Sequence, residues 1–472
     1  MALLKGEPRT AIWKLSGPLV VSMLLLSAFN IVDAIWVSGL GEEALAAVGL
    51  AFPLYMIMVG CGEGLGAGVG TAIARRVGRN DRRGANGVAA QGLILAAFLA
   101  VVFTVSMVLF SENIFGLFGD GEAAALASVY ATIIFGASTI VFFSELAYGV
   151  LKGEGDTKRV MEVIIAAEVI NFILDPILIY GAGMGVAGAA WATVISLIAE
   201  FLVMVYWFFV RKDTYVTLSF RRTPVRWPVI SEIVRVSIPN TLGCSLISGV
   251  VIVINAILST IAGDTAIAVY TSGWRVVTFV LVPLFALSSA VMMVAGAAIG
   301  AKLYQKLEEV FRYAVRLGVG IGVLLSVAVF VFAPQITLIF TYSEACAGIA
   351  PEIVTFLRTV CIFFPAVPLG VLAGAFFMAS GRGVASLTVT SLGVGMVSCL
   401  AYLLGDVMGF GVAGVWWGIV VGEVVGNAVG FLWMRHELGT LAMRAEEQEY
   451  AAPSGCSSGA RGTAASQRQG DL

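Results

Sequence analysis

Charge is scarce in this chain. Of its 472 residues 12% are Asp, Glu, Lys or Arg and 59% are hydrophobic, and mean hydropathy is +0.96. A soluble domain carries about 25% charge and about 45–50% apolar residues. A soluble enzyme and a nucleic-acid-binding protein are therefore excluded, and a polytopic membrane protein is indicated. Histidine is nearly missing: His436, the sole example, ends the last apolar segment, so imidazole-based intramembrane chemistry is not available. The cysteines (Cys61, Cys244, Cys346, Cys361, Cys399, Cys456) are scattered and form no CxxC. They read as small core hydrophobes, with neither a disulfide framework nor a metal site. A phosphate-binding loop ending in Lys-Ser/Thr is also lacking, so nucleotide hydrolysis is not encoded. Met1–Pro18 has no small-residue cleavage site, and no signal peptide is expected.

Long apolar runs dominate what is present. A spanning helix needs about 20 such residues, and twelve segments qualify: 11–38, 45–74, 87–111, 125–151, 160–181, 187–210, 230–262, 266–300, 311–333, 348–380, 384–405 and 411–434. Pro18, Pro53, Pro239, Pro283 and Pro365 lie inside or near their ends and are expected to bend them, because proline removes an amide donor and crowds the preceding turn.

Basic residues mark the cytoplasmic side. They occupy the N-terminus (Lys5, Arg9, Lys14) and the connections after spans two (Arg75, Arg76, Arg79, Arg82, Arg83) and four (Lys152, Lys158, Arg159). Others follow spans six (Arg211, Lys212, Arg221, Arg222, Arg226, Arg235), eight (Lys302, Lys306, Arg312, Arg316) and ten (Arg382), or lie in the tail (Arg435, Arg444, Arg461, Arg468). Only Arg275 and Arg358 remain, both within apolar segments, and the alternate turns carry Glu42, Glu43, Asp120, Glu122, Asp264, Glu344 and Asp406 instead. The chain therefore reads as an all-α, multi-pass protein of the plasma membrane with both termini cytoplasmic. From about Glu446 to Leu472 its polar tail is expected to be disordered.

The two halves repeat. VDAIWVSGLGEEALAA (Val32–Ala47) aligns with INAILSTIAGDTAIAV (Ile254–Val269) at an offset of 222, and GMGVAGAAW (Gly183–Trp191) with GFGVAGVWW (Gly409–Trp417) at an offset of 226. Six spans per half make this a parallel repeat about an axis near the membrane normal. The expected division is an N-terminal six-helix bundle over 1–211 carrying a cation site, a cytoplasmic linker over 212–228, a C-terminal bundle over 229–435 and a tail over 436–472.

Intramembrane acids break the symmetry. Asp33, Glu63, Glu145, Glu168, Asp175 and Glu200 lie within spans of the first half, whereas their approximate counterparts are Asn255, Phe285, Ala373, Val394, Ala401 and Gly426. Glu423 alone is comparable in the second half. Each such group is costly in a bilayer and is by default a functional candidate. Glu168, Asn171 and Asp175 share one face of the fifth span, and Thr193 and Glu200 one face of the sixth. Asp33 lies near Asn30, and Tyr130 opens the fourth span. Around one cavity these groups offer carboxylate, amide and hydroxyl oxygens to a sodium ion or a proton, and neighbouring carboxylates disfavour joint ionisation. Arg275 is expected to pair with an acid or line the cavity. Met292 belongs to a set of methionines and phenylalanines that are mostly core, a subset of which suits an adaptable pocket.

At these residues the sequence resembles the multidrug and toxic compound extrusion (MATE) transporters. The likeness runs from about Ala11 to Arg435 and rests on NIVDAIWVSGLGEEALAAVGL (Asn30–Leu50), LKGEGDTKRVM (Leu151–Met161) and NFILDPILIYGAGMGVAGAAWAT (Asn171–Thr193). It implies twelve helices in two six-helix lobes and cation-driven antiport. In the DinF-like and archaeal branch it implies a cation site on Asp33, Asn171, Asp175, Thr193 and Tyr130, with a first helix that bends at Pro18. The acid that NorM-like members carry in the seventh helix is missing here, where Asn255 is neutral.

Together these readings lead to an exporter of amphipathic, cationic organic compounds driven by Na+ or H+, with no other cofactor. It is expected to act as a monomer among membrane lipids, without nucleic acid. Glu63, Glu145, Glu168 and Glu200 are secondary acids, and Asn30, Arg275, Asn255 and Met292 candidate cavity-lining residues. A flippase for a lipid or lipid-linked saccharide is the alternative, although it would favour a more basic cavity. Gly153-Glu154-Gly155-Asp156 resembles a protease GxGD pattern, but beside Lys152 and Lys158 it reads as a cytoplasmic turn.

Overall fold

A computed structural model describes residues 6–116, 121–217, 224–338 and 348–451. Lys5, Asp120, Arg221, Arg222, Glu344, Cys346, Cys456, Arg461, Arg468 and the tail beyond Ala451 lie outside the described residues. The helices are α1 (Pro8–Ser38), α2 (Glu42–Gly78), α3 (Arg82–Gly116), α4a (Glu122–Gly136), α4b (Ser138–Glu154), α5 (Thr157–Pro176) and α6 (Val186–Val205). The second half continues with α7 (Trp227–Ile261), α8 (Gly263–Gly300), α9 (Tyr304–Leu338), α10a (Ala350–Val360), α10b (Val367–Ala379), α11 (Gly383–Tyr402) and α12 (Gly411–Ala451). Among the described residues ten helices are each long and apolar enough to span a membrane, and the two bent pairs, each counted as one span, bring the number to twelve.

Only one of the two breaks among the described residues falls at a proline. α1, α2, α7 and α8 run as unbroken helices through Pro18, Pro53, Pro239 and Pro283. The fourth span of each half is the one that breaks, by 50° between α4a and α4b and by 52° between α10a and α10b. Pro365 sits at the second break and supplies no amide donor, while Gly322 of α9 leaves room for the Phe364 carbonyl, which would lie 2.7 Å from an added Cβ. The first break has no proline. Thr104 of α3 donates to the Phe135 carbonyl at 3.1 Å, and Ser138 donates to the Ala100 carbonyl at 3.1 Å. A side chain of the neighbouring helix thus satisfies one carbonyl at the break, and Ser138 at the start of α4b ties the break to the backbone of α3.

The repeat is written into the backbone as well. π-helical turns end the fifth span (Ile177–Gly181) and the eleventh (Leu403–Val407). Each is followed by two left-handed glycines, Gly183 and Gly185 in one half and Gly409 and Gly411 in the other, with φ of 66°, 57°, 72° and 62°. No residue with a Cβ adopts these angles without strain, so the glycine pattern of the repeat is a turn requirement. The last helix also exceeds its expected length: it continues to Ala451, past the expected start of disorder at Glu446, through Glu and Gln residues of good helix propensity.

The lobes join at the end carrying the basic loops. Gly64 and Gly68 of α2 pack against the Ser237 and Ile233 carbonyls of α7, each 2.7 Å from an added Cβ, and Thr241 donates to the Gly60 carbonyl at 3.0 Å. Glu232 of α7 is gripped by two arginines of α2, accepting from Arg75 at 2.9 Å and from Arg76 at 3.0 and 2.7 Å. Arg75 also donates to the Ala379 carbonyl of α10b at 2.8 Å. The linker is tied down beside this seal. Glu154 accepts the amides of Tyr215 and Val216 at 2.9 and 2.7 Å, and Asp213 pairs with Arg159 and Arg211 at 2.6 and 2.8 Å. The Arg159 hydrogen bond holds the Asp213 carboxyl below the usual carboxylate range. Of the Gly153–Asp156 stretch, Gly153 and Glu154 close α4b and the turn is made by Gly155, which is left-handed, and Asp156, which caps α5 through the Arg159 amide at 3.3 Å.

Candidate ion-coupling site

The expected cation ligands gather where α1 meets α5 and α6. Asp33 stands near the end of α1 opposite the basic loops, and the carboxyl of Asp175 on α5 meets it side chain to side chain. Aromatic contacts fix this crossing. Phe29 and Trp36 of α1 lie 6.1 and 6.3 Å from the Phe172 ring, and the Tyr180 hydroxyl donates to the Trp36 carbonyl. Asp175 is 1% exposed. One oxygen of each carboxyl, Asp33 Oδ1 and Asp175 Oδ1, is buried without a hydrogen-bond partner. Among the described residues neither carboxylate joins an ion pair.

The remaining expected ligands lie beside the pair. Asn171, one turn before Asp175, donates to the Thr193 hydroxyl at 3.5 Å, and Thr193 donates to the Ala189 carbonyl of its own helix at 3.1 Å. Tyr130 of α4a is half-buried and faces both Asp33 and Asp175. The π turn after Pro176 permits α6 to approach: an added Cβ on Gly188 would lie 2.7 Å from the Leu178 carbonyl. Two carboxyls, an amide and two hydroxyls therefore converge, with no basic side chain among the described residues to neutralise them. Such a set attracts one positive charge, because two carboxylates held together without a counter-ion repel and are poorly solvated.

The secondary acids form a descending series toward the basic end. Glu168 faces Asp33 and Glu200, Glu200 faces Ser144 and Tyr148, and Glu145 faces Glu63 and Lys152. The other sequence candidates are dispersed. Asn30 is exposed and donates to the Leu26 carbonyl of its own helix at 2.7 Å. Asn255 has a buried Oδ1 without a partner, and Met292 is packed in the core that joins the lobes. Arg275 is exposed and joins no ion pair among the described residues.

Sequence reasoning missed two groups. Ser144 and Tyr148, four residues apart on α4b, were legible as a polar pair on one helical face in an apolar run. Glu232 was legible as an acid among basic residues at the start of α7, although nothing local names its partners on α2.

Comparison with known proteins agrees with this architecture. The MatE family model matches residues 18–177 and 239–403. The chain is 30% identical over 344 residues to a probable multidrug resistance protein, YoeA, of Bacillus subtilis, covering 71% of this chain and 73% of that one. It is 26% identical over 417 residues to the multidrug export protein MepA of Staphylococcus aureus, covering 88% and 90%. A solved multidrug resistance MATE family transporter in an outward-facing conformation superposes with a TM-score of 0.90 at 38% identity, covering 93% of this chain and 98% of that one. The chain belongs to the MATE family of multidrug efflux transporters, and is a multi-pass membrane transporter rather than an enzyme.

Proposed function

We propose that this transporter is a secondary active antiporter that exports amphipathic, cationic organic compounds in exchange for Na+ or H+, with Asp33, Asn171, Asp175, Thr193 and Tyr130 as the coupling site. The observation that carries the reading is the Asp33–Asp175 pair, two carboxyls in contact, each with an orphaned oxygen and, among the described residues, no basic partner. The names of YoeA and MepA support the substrate class at the level of drug export.

A cation or proton entering the pair removes the repulsion between α1 and α5 and lets them pack more closely. Asp33 lies beyond Pro18 on α1, where the missing amide donor makes a bend inexpensive. The pair thereby couples occupancy to the shape of the N-terminal lobe. Substrate leaves from the side opposite the basic loops while the Arg75–Arg76–Glu232 contacts keep the basic end shut. The lobes then rock, those contacts part, and the cation departs inward. In this scheme both termini and the basic loops are cytoplasmic, and one chain suffices.

The test is efflux of ethidium from proteoliposomes driven separately by a sodium gradient and a pH gradient. Wild-type protein responds to at least one gradient, and Asp33→Asn loses that response. Gradient-driven efflux undiminished in Asp33→Asn overturns the reading.

A further inference from the structure

The acids on the basic side of the coupling pair are not used by the mechanism above, and one of them stands in a built environment. Glu200 follows Thr193 by seven residues on the same face of α6, which places it about 10 Å closer to the basic end at 1.5 Å per residue. It is 6% exposed, and its Oε1 is buried without a hydrogen-bond partner. Facing it from α4b is Ser144, 2% exposed, whose Oγ is also buried and unpartnered. Tyr148, one turn along α4b, stands against the same carboxyl. The other titratable groups that face Glu200 are Glu145 of α4b, Glu168 of α5 and Tyr55 of α2. The basic residue of this region, Lys152, stands with Glu145 and Glu63, its ammonium 5.8 Å from the centre of the Tyr148 ring.

A buried carboxylate among neutral hydroxyls and other acids is costly. A proton on it removes the charge and turns one oxygen into a donor that a serine hydroxyl can accept. We propose that Glu200, with Ser144 and Tyr148, is a second proton-carrying station of the N-terminal lobe, between the Asp33–Asp175 pair and the basic end. Glu168, which faces both Asp33 and Glu200, bridges the two levels. The proton breaks its bond to a carboxyl of the Asp33–Asp175 pair, leaving a carboxylate there, and forms an O–H bond on Glu200. From Glu200 it passes to Glu145 and out past Lys152. No electron changes hands. The station rests on the coupling role proposed for Asp33 and Asp175.

The experiment is infrared difference spectroscopy of the whole protein in lipid nanodiscs across a pH titration, paired with a count of protons taken up per transporter. Glu200→Gln is expected to lose one protonated-carboxyl band and one proton from the count, and Asp33→Asn to lose a different band. Glu200→Gln also slows pH-driven ethidium efflux tenfold or more, about 1.4 kcal/mol in the barrier. An unchanged band pattern and proton count in Glu200→Gln overturn the station. Should that variant fail to fold, Ser144→Ala and Tyr148→Phe take its place. Each is expected to move the midpoint of the Glu200 band by about half a pH unit or more, and no movement in either overturns the proposal. Loss of the Glu200 band together with normal coupled efflux in Asp33→Asn overturns the coupling reading and leaves the station, so the two failures are distinct.

Discussion

Gly78 and Gly300 make the same contact in opposite directions. A Cβ added to Gly78 would lie 2.0 Å from the Ala297 carbonyl, and one added to Gly300 would lie 1.9 Å from the Arg75 carbonyl. The pairs 78/300 and 75/297 share the offset of 222 that aligns the first spans, so the contact sits on the pseudo-twofold axis where α2 crosses α8. Neither carbonyl can move away cheaply, because each belongs to a helix backbone. Gly300→Ala is expected to push α2 and α8 apart at the basic end and slow transport several-fold. Interlobe distances from paired spin labels check it, with the population shifting toward separated basic ends.

Glu232 holds two guanidiniums of the other lobe, and its side chain is 30% exposed. Removing one partner of a fully buried pair costs about 3–5 kcal/mol, and partial exposure brings this well below that range. Glu232→Gln leaves Arg75 and Arg76 facing each other without a counter-charge. The basic end is expected to open more often, raising the labelling of Ser237→Cys by a membrane-impermeant thiol reagent. Labelling no faster than in the parent would show that packing alone seals the lobes.

Asp33 and Asp175 act as one unit if they share one positive charge. Asp33→Asn and Asp175→Asn are each expected to lower gradient-driven efflux at least tenfold, and the double variant to be little worse than either alone. Additive losses in ethidium efflux would instead mean two independent sites.

In the proposed coupling site Thr193 contributes one oxygen, which also accepts from Asn171. Thr193→Val keeps the shape and removes the oxygen, so the cation concentration for half-maximal efflux is expected to rise several-fold. Thr193→Ser restores it. The measurement is efflux rate against sodium or proton concentration.

Asp156 caps α5 by accepting the Arg159 amide. Asp156→Ala is expected to cost about 1 kcal/mol, seen as a lower thermal midpoint, with the cation dependence of transport intact.

Much of this molecule is legible in its residues. Hydropathy locates the ten long helices and the two bent pairs found among the described residues, and helical spacing alone puts the expected ligands Asn171 and Asp175 on a common face. The break at Ala137 is not legible, because the partner that satisfies it, Thr104, lies on another helix far away in sequence. Pro18 and Pro53 read as bend sites, and the helices continue through both without a break. The Arg75–Glu232 contact is hidden for the same reason as Thr104: its arginines read as topology markers, and only packing shows that they also fasten the lobes.

The two bent fourth spans differ by only 2°, although Pro365 stands at one break and serine and threonine hydroxyls at the other. The halves thus share a skeleton while six of the seven intramembrane acids read from the sequence, all but Glu423, sit in the first of them. Under the coupling proposed above, ion binding strains a single leaf of a paired hinge, and the other leaf is the anvil against which that strain becomes motion. On that reading a transporter assembled from two C-terminal halves keeps the hinge and loses its drive.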